Sequence, residues 1–237
     1  MTRRPPWDLS LPAEGDRLER RQRISSLYDK ADWIGCYREA QADAKAHPLA
    51  IRGLITEAAL LGDSAEVFAP GPERRRRKAA AIRQLRHWVR TPPVKLPRAL
   101  ASYARNELYY HSRAFKEQAI LGRAEVKAGE QAAAYSIGVG AAFYAADLIR
   151  YGQRVRAALW AAESLEAWRA YFALPKTRDR FDTHTFKAVA LSVLGSVDEA
   201  EVELKTVAVL IGRDIRTTYI YDVEERLAWC RRGGLRG

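Results

Sequence analysis

The 237-residue chain is poor in the residues that build metal sites and disulfide frameworks, with two cysteines, four histidines and one methionine. Cys36 and Cys230 are too few and too far apart for a disulfide framework or a zinc cluster. Cys36 falls in a helical pattern, where a small buried hydrophobe is the ordinary role, and this usage fits a reducing compartment. None of His47, His87, His111 and His184 is read as having a ligand partner at metal spacing on a shared helix face. Nucleophile motifs are also missing, since no serine sits in a Gly-x-Ser-x-Gly elbow. The pairs Glu163–Glu166 and Asp222–Glu225 put two carboxylates on one helix face, a spacing that solvated faces use routinely. The expectation is a protein that is not an enzyme and holds no metal or cofactor. No run reaches the roughly 20 apolar residues of a membrane span, and no apolar stretch follows Arg3-Arg4 as an export signal requires. A cytoplasmic protein without a membrane span is therefore expected.

Acidic residues are scarce in one place. Between Gly71 and Glu117 there are 13 Lys or Arg against 3 Asp or Glu, while the remainder holds 27 against 26. Nearly all of the net charge of +11 thus comes from one fifth of the sequence.

What is present is core-forming material: 48% apolar residues, 10% aromatics and six tryptophans, enough to bury a core. From Asp16 onward apolar residues recur at three- and four-residue spacing, and strand-like alternation is absent. With breaks at Gly, Pro and polar clusters, the pattern predicts helices near 16–29, 32–46, 48–62, 73–90, 97–111, 114–128, 130–150, 153–173, 183–195, 197–211 and 215–231. Short connections between such helices imply antiparallel hairpins. Residues 1–16 read as an arm with Trp7 and Leu9 as apolar anchors, 17–232 as one helical domain, and 233–237 as a tail.

Two places carry a recognisable turn and second helix. The first is Ala31-Asp32-Trp33-Ile34-Gly35-Cys36, closed by His47-Pro48. The second is Leu194-Gly195-Ser196-Val197-Asp198-Glu199-Ala200 with Leu204 and Val207, where Gly212 stands in place of a closing proline. His111 to Ala119 and Tyr151-Gly152-Gln153 are weaker versions. These segments resemble tetratricopeptide (TPR) repeats over 31–62 and 97–212, although the spacing departs from a period of about 34 residues. The resemblance implies an all-α fold of about 10–11 helices, stacked as a right-handed α-solenoid. It also implies a groove lined by the first helix of each pair, which known members use to dock a protein or peptide. Residues 63–96 depart from the pattern and read as an irregular basic insertion.

That segment is the sharpest signal. At 100° per residue a helix over 73–90 places Ile82, Leu85, Trp88 and Val89 on one face and Arg75, Arg76, Arg83, Arg86, His87 and Arg90 on the other. Lys95 and Arg98 extend the field. Such density repels itself, and a phosphate backbone, an acidic protein or a lipid headgroup would relieve it; a plain solvated face is the alternative. The excess of 31 Arg over 9 Lys fits a compositional bias but leaves the missing acids unexplained. Tyr103, Arg105 and Tyr110 are candidate groove residues, for peptide contact or base stacking.

Other motifs are set aside on physical grounds. Phe186–Val202 has the small residues of a helix-turn-helix reader, but Asp198, Glu199, Glu201 and Glu203 would face phosphates. Gly138-Val139-Gly140 follows no strand and is read as a close helix–helix approach. The expected function is a protein–protein scaffold, with a nucleic-acid-binding repeat protein as the alternative. A homodimer is compatible with both.

Overall fold

The computed structural model describes Asp8 and residues 16–175, 177 and 179–233. The described residues contain eleven α-helices and no named strand. These are α1 Asp16–Asp29, α2 Trp33–Ala46, α3 Ile51–Asp63, α4 Pro72–Arg90, α5 Arg98–His111, α6 Phe115–Lys127, α7 Ala134–Arg150, α8 Arg154–Phe172, α9 Phe181–Leu194, α10 Val197–Ile211 and α11 Val223–Gly233. The expected boundaries agree except at the end. Residues 215–222 form two short 3-10 turns instead of helix. Tyr221 and Asp222 sit at φ 59° and 50°, in the left-handed region that stops an α-helix, and Ile215, Ile220 and Tyr221 are buried there as separate anchors. The arm is tied down at Asp8. Its NH donates to the Leu49 carbonyl at 2.9 Å, and its carboxylate accepts from Arg17 at 2.6 Å. Trp7 and most of the expected tail lie outside the described residues.

Three hairpins close with one backbone motif. The NH of Asp32 reaches back to the Leu27 carbonyl (2.9 Å), that of Gln153 to Leu148 (2.9 Å) and that of Ser196 to Leu191 (3.0 Å). The preceding residue is left-handed in each: Ala31 at φ 53°, Gly152 at 72° and Gly195 at 83°. This is the six-to-one closure of a Schellman turn. In each the polar residue's own carbonyl then accepts from the NH four residues on, at Cys36, Ala157 and Ala200, all buried. In these three the side chain is small, and the second helix leaves the turn close against the first. Gln118, buried and bonded to the Ala114 carbonyl, holds the equivalent place in α6. Gln118 to Ala157 is 39 residues and Ala157 to Ala200 is 43, so the repeat is longer than the tetratricopeptide period.

Packing divides the chain into two compact units, up to Ser112 and from Arg113. In the first, α3 packs on α2, α4 and α5. Its core joins Ile51, Ile55 and Ala58 of α3, Leu85 and Trp88 of α4, and Leu100, Ala104 and Leu108 of α5. The segment 63–96 is therefore not an insertion standing apart. It supplies a full helix to the core, and burying Leu85 and Trp88 contributes about 1.5–3 kcal/mol each. The proline-rich connection 70–72 and a 3-10 turn at Ser64–Val67 replace the short turn seen in the other hairpins, which is why the pattern is hidden there.

In the second unit α7 is central, packing on α6, α8, α9 and α11. Residues 131–150 are long and apolar enough to cross a membrane by composition, with mean hydropathy 1.4, correcting the expectation that no run is. Within this unit, 67% of that stretch is buried against the neighbouring helices. Close approach is what its glycines permit. A Cβ on Gly138 would lie 2.4 Å from the Trp168 ring, and one on Gly140 2.6 Å from the Phe115 carbonyl oxygen.

A second regularity concerns which helices touch. Consecutive helices pack within each unit except α10 with α11, and so do some odd-numbered ones: α3 with α5, α7 with α9, and α11 with both α7 and α9. No even–even pair packs to a comparable extent among the described residues. First helix thus meets first helix at α3–α5 in the first unit and at α7–α9 in the second, but not at α1–α3.

Candidate functional site

The basic helix α4 begins with Pro72 at its first turn and Glu73 beside its N-terminus, both favourable there. Its inner flank is neutralised. Arg74, buried, reaches Glu66 at 2.6 Å, and Lys78 reaches the other Glu66 oxygen at 2.5 Å. Glu73 accepts from Arg76 and from Arg77, the latter at 2.7 Å, and Arg77 also covers the Phe68 ring at 4.9 Å. Glu66 and Glu73 therefore offset two of the five charges from Arg74 to Lys78, and Glu66 fastens the start of α4 to the 3-10 turn that follows α3.

The outer face is different. Arg75, Arg76, Arg83, Arg86, His87 and Arg90 are all exposed and fall within an arc of about 120°, over about 22 Å of helix. Lys95, in the connection, and Arg98, opening α5, are exposed too. Arg75, Arg83, Arg86, Arg90 and Lys95 have no carboxylate partner among the described residues. Some exposed arginines elsewhere are paired, as Arg23 is with Glu39, Arg123 with Glu163, Arg169 with Glu166 and Arg231 with Glu224. Others, such as Arg38, Arg150, Arg154 and Arg232, are not, but among the described residues no other helix carries four unpaired arginines on one face. Compositional bias toward arginine accounts for none of this contrast. His87 is tied to Thr91 at 2.9 Å and meets the Trp88 ring edge-on.

The candidate groove residues do not all come together. Tyr103 and Tyr110 share a face of α5, and the Tyr103 hydroxyl lies 3.4 Å from that of Thr56 on α3. Arg105 is two positions on, about 200° around the helix. Its Nε donates to the Ala101 carbonyl of its own helix at 3.2 Å, and it is removed from the groove set. Burial raises the Tyr103 phenol pKa, helped by the nearby Glu107 carboxyl. Sequence reasoning missed Arg21 and Arg52. Burial lowers the Arg21 pKa, and the charges of Arg52 and Arg17 lower it further, with Tyr103 also within electrostatic reach. This puts two arginines of α1 and α3 beside the α5 tyrosine. Only the fold joins them, because α1 and α5 are far apart in sequence. In the second unit the matching wall is covered, since α11 packs on both α7 and α9.

Behind the wall lie two titratable groups whose charged forms burial disfavours. Burial pushes Glu107 up to about 7. Burial, with Lys78 nearby, pushes His111 down to about 3. Glu107 and His111 share a helix face at 3.8 Å, as Asp43 and His47 do at 3.9 Å, correcting the reading that no histidine has such a neighbour. No group of three potential metal ligands occurs among the described residues. The His111 ring lies over Gly62, where a Cβ would come within 2.4 Å of it. The linkage signs are opposite. The folded state holds the Glu107 proton, so that stability is present below the usual 4.5 and is lost as pH rises towards 7. For His111 the unfolded chain takes the proton, so stability falls as pH drops from 6.5 towards 3. Glu107→Gln should accordingly be more stable than wild type at pH 8, on the order of 1–3 kcal/mol, and no more stable at pH 4.5. Denaturant melts at the two pH values check this, and equal stabilities at pH 8 would contradict the assignment.

The remaining sequence candidates have structural roles. Asp182 is buried in the first turn of α9, where it accepts from Tyr135 at 2.8 Å. His184 bridges Glu203 and Asp179. Both cysteines are buried, free thiols, pushed up to about 12 by burial. Comparison of the chain with protein-family models, with curated proteins and with solved structures returns no match.

Proposed function

We propose that the chain is a non-catalytic helical-repeat scaffold of the tetratricopeptide type, its hairpins stacked as a right-handed α-solenoid. In this reading it holds a segment of a partner protein against the wall formed by α3 and α5. The observation that supports it is the packing of first helix on first helix within each unit, α3 on α5 in the first and α7 on α9 in the second. On the α3–α5 wall Arg52, Tyr103 and Tyr110 are half-buried, whereas α11 packs over the corresponding helices of the second unit. Arg21 and Arg52 make its edge cationic, so the favoured segment carries carboxylates, with Tyr103 and Tyr110 supplying ring surface. Arginine and tyrosine are the residue types that most often anchor interfaces.

The test is co-purification of the tagged full chain with its partners, repeated with Arg52→Glu and Tyr110→Ala. Loss of one protein partner by at least about tenfold, the cost of one hot-spot contact, is expected from either change. Leu159→Ser, on the exposed face of α8, should leave it bound. A partner that survives both wall substitutions and is lost with Leu159→Ser would contradict the reading.

A further inference from the structure

We infer that the outer face of α4 is a docking ridge for the phosphate backbone of duplex nucleic acid, independent of the α3–α5 wall. The argument starts from charges the fold does not need. Glu66 and Glu73 balance the cations that fasten α4 in place. Arg75, Arg83, Arg86 and Arg90 are left unpaired on the far side, where their mutual repulsion opposes folding. Exposed arginines without an acid occur on other helices too, as at Arg38, Arg154 and Arg232, but four on one face of one helix occur only here among the described residues.

The chemistry of the ridge selects among polyanions. Its apolar side, with Ala81, Leu85 and Trp88, is buried in the core and is not free to enter a lipid headgroup layer. No exposed large hydrophobic residue lies on α4 or α5, so the ridge lacks the apolar anchors on which protein interfaces concentrate their energy. It also lacks exposed aromatic platforms, which single strands use for base stacking. What remains is a straight, rigid row of planar forks about 22 Å long, matched to a rigid row of phosphates. The contact is made without base edges, so it is independent of sequence.

Fluorescence anisotropy of the full chain with a labelled 20-base-pair duplex DNA, across salt concentrations, tests this. With four to five phosphate contacts, log K should fall against log salt with a slope of about −4. Arg83→Ala with Arg86→Ala should make the slope shallower by about 2 and weaken binding on the order of tenfold per contact at low salt. Arg90→Ala alone should remove about 1, which keeps the test open if the double variant is poorly folded. Lys127→Ala with Arg154→Ala, an equal charge loss on exposed positions of the second unit, should leave the slope unchanged. No binding at 50 mM salt, an unchanged slope in the ridge variants, or an equal loss in the control pair overturns the inference. So does competition by polyglutamate, phosphatidylserine vesicles or single strands that matches unlabelled duplex.

Discussion

Replacing Arg226 with alanine should cost about 3–5 kcal/mol, the loss expected when one member of a buried ion pair is removed. Arg226 is 1% exposed. Its guanidinium lies 4.0 Å from the Phe143 ring centroid and 5.2 Å from that of Phe115, and Nη1 reaches Asp147 at 3.0 Å. Nη1 also donates to the Phe143 carbonyl, and Nε donates to the Tyr221 carbonyl. One side chain therefore joins α6, α7, α11 and the turn before α11. Burial opposes its charge and lowers its pKa, with Asp147 working the other way. The cost of desolvation makes the order of substitutions informative. Lysine offers a point charge without a planar face, so it should not restore stability. Methionine keeps the ring contacts and leaves Asp147, whose side chain is 27% exposed, able to hydrate. Thermal melts should rank wild type above Met, and Met above Lys and Ala. A lysine variant as stable as wild type would show that charge alone, without stacking, is what the site uses.

Gly140→Ala should be nearly as damaging, at about 3 kcal/mol. A methyl there meets the Phe115 carbonyl oxygen at 2.6 Å and the Ala119 nitrogen at 2.8 Å. Both are backbone atoms of the neighbouring helix, so no side chain can rotate away and α6 must shift off α7. Gly138→Ala meets the Trp168 ring instead, 2.4 Å away, in a cluster where Trp168 stacks on Phe186. A ring has somewhere to tilt, so this change should cost less. Urea titrations of the two variants check the order. Gly140→Ala within about 0.5 kcal/mol of wild type would mean that the helices do not approach this closely.

The helices were legible in the sequence because apolar residues recur at helical spacing, one-sidedly in α3, α4 and α5 and nearly all round in α7, between breaks at Gly, Pro or short polar residues. The repeat length was not. Asp32, Gln153 and Ser196 differ as residues but make the same backbone closure, and Cys36, Ala157 and Ala200 share only smallness. A period carried by backbone geometry leaves little trace in side-chain identity. The final helix was placed too early because Ile215, Ile220 and Tyr221 have apolar spacing compatible with a helix, while the left-handed turn at Tyr221 and Asp222 follows from tertiary anchoring. At the ridge, the exposed arginine face followed from helical angles alone. The neutralised flank did not, because Glu66 reaches Arg74 and Lys78 only after the chain has turned through Ser64–Val67. Arg105 is the opposite case, since its angle to Tyr103 was already set by the numbering.

The claim at the centre of this account is that one side of the first unit, the α3–α5 wall, receives a partner protein. A photo-crosslinking residue at position 110 tests it most directly, in the full chain under native conditions, with position 159 as the comparison. The account predicts a discrete protein adduct from position 110 that Arg52→Glu removes, and none of equal strength from 159. Adducts from position 159 with none from 110 would contradict it.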